Sequence, residues 1–314
     1  MQSASLSRSY LLMTAVILLW GSNWPVMKLG LTMITPFWFG IARMGFGALT
    51  LFLVLAATRK LILPPRGDWP VLVSVGIFQM LSFMALVNLG LLFVDAGRSA
   101  VLAYTTPLWV APAAVLFAKE RLSPRKLAGL VSGLAGIALL FNPFTFDWNE
   151  RQTVIGNAII MAAAFCWAGA ILHIRQHRWV ATPLQLTPWQ MVLALPFLIV
   201  LALVFEDAST IRFEPELIAV LVYNGPIATA FCYWAAVTVS RNLPSIHTSL
   251  GFLGVPVVGV LASAWTLGEP IGFDLISGGV AVLAGLVMVT LADRPQAGPP
   301  QGKAGSRREN PPQG

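Results

Sequence analysis

The chain has 314 residues, of which 57% are hydrophobic and 11% charged, with a formal net charge of +7 and a mean hydropathy of +0.76. Soluble domains carry about 25% charged residues, so 13 acids and 20 bases cannot solvate the surface of a packed globule this size. The 27 Gly and 22 Pro follow no triplet period, which excludes a collagen-like fibre. The expectation is an all-α integral membrane protein.

A hydrocarbon core needs roughly 20 apolar residues per spanning helix. Residues 9 to 27 form the first stretch without Asp, Glu, Lys or Arg. Trp20, Asn23, Trp24 and Met27 share one helical face there, an amphipathic wall for a planar or apolar solute or a packing surface. Pro25 beside it permits a bend. Gly21-Ser22-Asn23 lacks a small-x-small cleavage pattern, so an uncleaved helix is expected rather than a signal peptide. Residues 36 to 57 are interrupted by a single charge, Arg43. An arginine near a bilayer centre costs roughly 2.5 to 3.5 kcal/mol on insertion scales, so it should face protein or water. Two roles stay open for it: meeting a substrate carboxylate or phosphate, or clamping backbone carbonyls.

Residues 69 to 94 bring Gln79 and Asn88, and 99 to 118 bring Tyr104 and Pro107. Residues 127 to 146 carry Gly129, Gly133 and Gly136, spaced for close helix packing. Then follow 152 to 174 with Trp167, 179 to 205 with Gln190, and 217 to 240 with Tyr223 and Trp234 on one helical face and Tyr233 on the next. Residues 242 to 268 hold Pro256, and 275 to 292 hold Gly278 and Gly285, a stripe suited to packing or to a homodimer. That makes ten spanning helices. Pro25, Pro107 and Pro256 are candidate hinges, although static kinks fit each of them as well. Cys166 and Cys232 fall within apolar stretches as small core residues, and His173 and His247 lie near helix ends as surface residues.

With the N-terminus cytoplasmic, fifteen Lys and Arg fall inside and four outside, Arg43 completing the twenty. This positive-inside bias places both termini in the cytoplasm. Nine acids lie outside, Glu206 and Glu269 among them. The net charge is therefore a sidedness signal and not a nucleic-acid footprint. The tail from 293 to 314, rich in Pro, Gly, Gln and Arg, is expected to be disordered in the cytoplasm.

The chain also repeats itself. An offset of 149 pairs Pro107 with Pro256, Glu120 with Glu269, Gly129 with Gly278 and Gly136 with Gly285. An offset of 147 pairs Trp20 with Trp167, Thr35-Pro36 with Thr182-Pro183, and Arg43 with Gln190. The ordered set predicts two halves, 1–146 and 150–292. Five crossings per half invert the second relative to the first, which is a transporter architecture with its site near the midplane.

The segment DAGRSAVLAYTTPLWVAPAAVLFAKERLSPRKLAGLVSGLAGIALL, the opening LLWGSNWPVMK and the later LGEP resemble the EamA-type branch of the drug/metabolite transporter superfamily. The likeness runs from about residue 10 to 292. It implies a five-plus-five inverted repeat of ten helices in the cell's inner (plasma) membrane. It also implies outward movement of small metabolites such as amino acids, with the fifth and tenth helices peripheral and the other eight lining a central cavity. Trp167-Ala168-Gly169-Ala170 departs from the first repeat by lacking a counterpart of Asn23.

The chain holds no metal cluster, Walker loop or GxSxG elbow and no midplane acid, so neither an enzyme nor an ATP-driven pump is expected, and no cofactor. The expected partners are a small-molecule solute and the lipid bilayer. Two alternatives are an integral-membrane lipid-processing enzyme, which would gather acids or metal ligands at one interface, and a non-transporting receptor or assembly subunit.

Overall fold

The computed structural model describes residues 2–118, 123–141, 151–243, 248 and 251–292. Glu120, His247 and the tail from 293 to 314 lie outside the described residues. Among the described residues every regular element is helical. The helices are α1 (Gln2–Gly30), α2 (Pro36–Ala57), α3 (Trp69–Val75), α4 (Met84–Gly90), α5 (Ala96–Ala103), α6 (Thr106–Ala118) and α7 (Pro124–Phe141). They continue with α8 (Arg151–Gln176), α9 (Pro183–Phe205), α10 (Pro215–Val222), α11 (Cys232–Asn242), α12 (Gly254–Leu267) and α13 (Phe273–Ala292). A π-helical segment, Gly76–Phe83, joins α3 to α4 without a break, and a second, Tyr223–Phe231, joins α10 to α11. Seven of the described helices or continuous helical runs are long and apolar enough to cross a membrane, and Gly254–Leu267 is a shorter apolar helix.

Local chemistry sets the ends and breaks. Thr35 and Thr182 are the N-caps of α2 and α9, each followed by Pro at the first helical position, where the missing N–H costs nothing. Thr182 forms a capping box with Gln185. Between α5 and α6 the helix opens at Tyr104 and Thr105. Pro107 has no N–H for the Ala103 carbonyl, and the Thr106 hydroxyl donates to that oxygen at 2.8 Å instead. The Thr105 hydroxyl likewise donates to the Leu102 carbonyl at 2.6 Å. Pro256 sits in the first turn of α12, just after a second interruption at Leu253.

Helix pairs then close the bundle. α2 packs along α9 through Met44, Leu51, Met191 and Leu198, all buried. The glycine stripes of α7 and α13 pack on one another: a Cβ at Gly136 would lie 2.7 Å from the Gly278 carbonyl oxygen, and one at Gly285 would lie 2.5 Å from that of Gly129. Backbones this close are open only to glycine. Gly278 and Gly285 are thus occupied within the chain, so a homodimer through α13 would use another face, such as that of the exposed Ile276 and Val280. Leu203, Val204, Phe205, Leu261 and Val280 point outward, an apolar exterior suited to lipid rather than water.

Carboxylates bind the two ends of the bundle. At one end Glu206 accepts from the Thr35 hydroxyl at 2.7 Å and from the N–H of Phe37 and Trp38 at 2.7 and 3.1 Å. There Arg212 also donates to the Thr32 carbonyl at 2.5 Å. At the other end the buried Asp68 accepts from the N–H of Val180 and Ala181 at 3.1 and 2.7 Å and pairs with His177 Nε2 at 2.8 Å.

Candidate functional site

A cavity of about 90 Å³ lies inside the bundle, walled by Trp20, Asn23, Trp24 and Met27 of α1, Arg43 of α2, Gln79 and Phe83 of the first π segment, Met84 and Val87 of α4, Tyr104, Trp167 of α8 and Tyr233 of α11. The first-helix face read from sequence spacing thus meets the lone intramembrane arginine. None of the lining residues comes from α7, α9, α12 or α13. The fifth and tenth apolar stretches stay outside the wall, but the helix of residues 183 to 205 and the helix from 254 also contribute nothing to it, where the resemblance implied eight lining helices.

Arg43 is only 6% exposed. Its Nε donates to the Thr229 hydroxyl at 3.0 Å and Nη1 to the Met27 sulfur at 2.8 Å. No carboxylate among the described residues pairs with it. A guanidinium has five N–H donors, and thioether sulfur is a weak acceptor. The cation therefore keeps strong donor capacity at the cavity wall, held in place by one residue of α1 and one of the second π segment.

The amide of Asn23 lies beside it, buried, and its Oδ1 has no protein partner. Gln79 donates from Nε2 to the Tyr233 hydroxyl at 3.1 Å across the cavity. Aromatic rings complete the wall. Trp167 meets Tyr104 edge-on at 5.8 Å and tilts against Phe83 at 5.0 Å. The Trp20 indole N–H is taken by the Ala228 carbonyl at 2.7 Å, so Trp20 offers its ring and not a donor. One cation, one free amide oxygen and a box of rings suit a small solute that is anionic at one end and apolar or aromatic at the other.

Three expected residues lie elsewhere. Gln190 is buried on α9, where its backbone carbonyl abuts Gly76 of the first π segment. Tyr223 donates to the Leu19 carbonyl at 2.8 Å, and Trp234 tilts against Phe231 at 5.7 Å. Tyr233, two residues past the π segment from Tyr223 to Phe231, lines the cavity instead. Phe83, Met84 and Val87 were also not singled out, since nothing separates them from ordinary core residues in an apolar stretch. His177, the partner of Asp68, carries no motif that marks it, and His173 lies next to it with ring centres 5.9 Å apart. Cys166 and Cys232 are free thiols, Cys232 buried. No group of three His, Cys, Asp or Glu side chains able to hold a metal is found among the described residues.

The model of the EamA-like transporter family matches residues 7–142 and again 154–291. An uncharacterized transporter, YoaV of Bacillus subtilis, is 25% identical over 88% of this chain and 94% of its own. A probable amino-acid metabolite efflux pump of Salmonella typhimurium is 26% identical over 86% and 91%. A probable terminal-alkyne amino-acid exporter of Streptantibioticus cattleyicolor is 26% identical over 94% and 98%. A solved crystal structure shares the fold with a TM-score of 0.63, at 22% identity over 91% of this chain and 97% of that one. With two matches that together span nearly its whole helical region, the chain belongs to the EamA-like transporter family of membrane transporters.

Proposed function

We propose that the chain is a carrier that exports a small carboxylate-bearing metabolite, such as an amino acid or a related compound, across the cell's inner membrane. The observation that carries this reading is Arg43, buried at the cavity wall with no carboxylate partner among the described residues. A solute carboxylate would supply the missing counter-charge bidentately, with Trp20, Trp24, Tyr104 and Trp167 around its apolar part and Asn23 accepting from an ammonium group. Export is the direction named for the Salmonella and Streptantibioticus relatives.

The mechanism is alternating access between two inverted halves of five spans, 1–146 and 150–292, with both termini cytoplasmic. Local irregularities recur at the repeat offset and support the pairing. The π segments begin at Gly76 and Tyr223, 147 residues apart, and Pro107 and Pro256 each follow a helix interruption. Those prolines serve as paired hinges, and Pro25 adds flexibility beside the cavity.

Uptake into proteoliposomes tests the reading. Arg43→Gln should slow transport of the accepted anionic solutes by about tenfold or more, the worth of one charge-assisted hydrogen bond, while uncharged solutes are spared. Unchanged transport of every accepted anion would overturn the carboxylate role.

A further inference from the structure

We propose that Glu269 is the latch of a gate whose moving part is α5. The inference rests on the carrier reading and adds to it the element that opens the cavity toward the end of the bundle at Glu206 and Glu269. The Glu269 carboxylate straddles the first turn of α5: Oε1 accepts from the Ala96 N–H at 2.7 Å and Oε2 from the Gly97 N–H at 2.9 Å. These donors have no partner within their own helix, and a negative charge there also meets the positive end of the helix dipole. The next residue, Arg98, donates to the Leu140 carbonyl at 2.7 Å and pairs with Asp274. Glu269 and Asp274 both belong to the second half, so the start of α5 is held across the boundary between halves.

The other end of α5 is hinged. The helix stops after Ala103, and Tyr104 and Thr105 form the non-helical step before Pro107. Eight residues at about 1.5 Å each make a lever roughly 12 Å long, latched at one end and jointed at the other. Tyr104, at the joint, lines the cavity against Trp167. Between latch and joint the contact with α12 is smooth: the Ala100 methyl faces Gly259, and a Cβ at Gly97 would lie 3.1 Å from the Val260 Cα. The small residues Gly97, Ala100 and Gly259 keep this seam free of long side chains, so the packing given up as the helices part is chiefly that of Val101 and Leu102. Release of Glu269 removes the contact on the helix's own N–H groups and, as the Arg98 ties loosen with it, lets α5 swing about Tyr104–Pro107 and uncover the cavity.

Ala100, fully buried under Gly259, is the reporter. In a Cys166→Ser, Cys232→Ala background carrying Ala100→Cys, maleimide labelling is timed on protein in lipid nanodiscs, with no solute present. Glu269→Gln should speed labelling by about tenfold or more, the effect of losing one charge-assisted hydrogen bond. Asp274→Asn, which leaves Glu269 in place and releases only Arg98, should speed it in the same direction and decides the matter if the first variant is not monodisperse. Gly285→Ala, a destabilising change remote from the latch, should leave labelling at the parental rate. Labelling at that rate in both latch variants would overturn the proposal whatever the chain transports. Faster labelling in a protein that moves no solute would uphold the latch and overturn the carrier reading.

Discussion

Gly285→Ala measures how closely α7 and α13 approach. The new methyl would sit 2.5 Å from the Gly129 carbonyl oxygen, 2.6 Å from the Gly133 nitrogen and 2.9 Å from the Gly133 Cα. All three are backbone atoms, so no side chain can swing aside. Bringing the contacts out to ordinary van der Waals range separates the helices locally by about 1 Å, enough to forfeit a quarter to a half of the dispersion energy along the seam. Overpacking of this kind costs about 1–3 kcal/mol, partly offset by the better helix propensity of Ala, worth about 1 kcal/mol. Gly279→Ala on the same helix is the internal control, since its methyl meets nothing within 4 Å. It gains the propensity term without the clash. The two variants should therefore differ by about 2 kcal/mol, or roughly 4 °C in melting temperature, when purified protein is melted in one detergent. Equal melting temperatures of the two variants would refute the close α7–α13 packing.

Two further changes test the ends of the bundle. Asp68→Asn removes the charge from a buried acceptor of three hydrogen bonds and turns an amide N–H₂ toward other N–H groups. It should lower the melting temperature more than Asp207→Asn, whose exposed carboxylate accepts only within its own turn, from the Ser209 N–H; the reverse order would refute the role of Asp68 in holding His177, Val180 and Ala181. Gly268 caps α12 at φ 68° with open space around it, so Gly268→Ala meets only backbone strain. A loss of about 1 kcal/mol is expected, read as a melting shift, and an unchanged melting curve would refute the left-handed turn.

Much of the site was legible because polar groups are conspicuous in an apolar chain. Arg43 was the single charge away from a stretch end, and Trp20, Asn23, Trp24 and Met27 share a face under ordinary α-helical geometry, which α1 keeps through that region. Spacing alone did not tell which of several neighbouring faces of a helix meets the cavity. In the stretch from 217 to 240 the α-helical spacing pointed to Tyr223 and Trp234, while Tyr233 lines the cavity. Thr229, the buried anchor of Arg43, lies inside that same segment and carried no signal of its own.

Composition, charge placement and internal repetition determined by themselves that the chain is a helical membrane protein of two related parts, and which few residues could not face lipid. Those conclusions need only the cost of placing charge and unpaired backbone groups in hydrocarbon, which depends on residue type and spacing. Partnership was decided by the tertiary structure. Only there does Arg43 meet Thr229 and Met27, do the glycines of α13 spend their close approach on α7, and does Glu269 hold the start of α5. Such contacts join positions up to 186 residues apart, and helix crossings and local π turns set them through packing that no periodicity along the chain records.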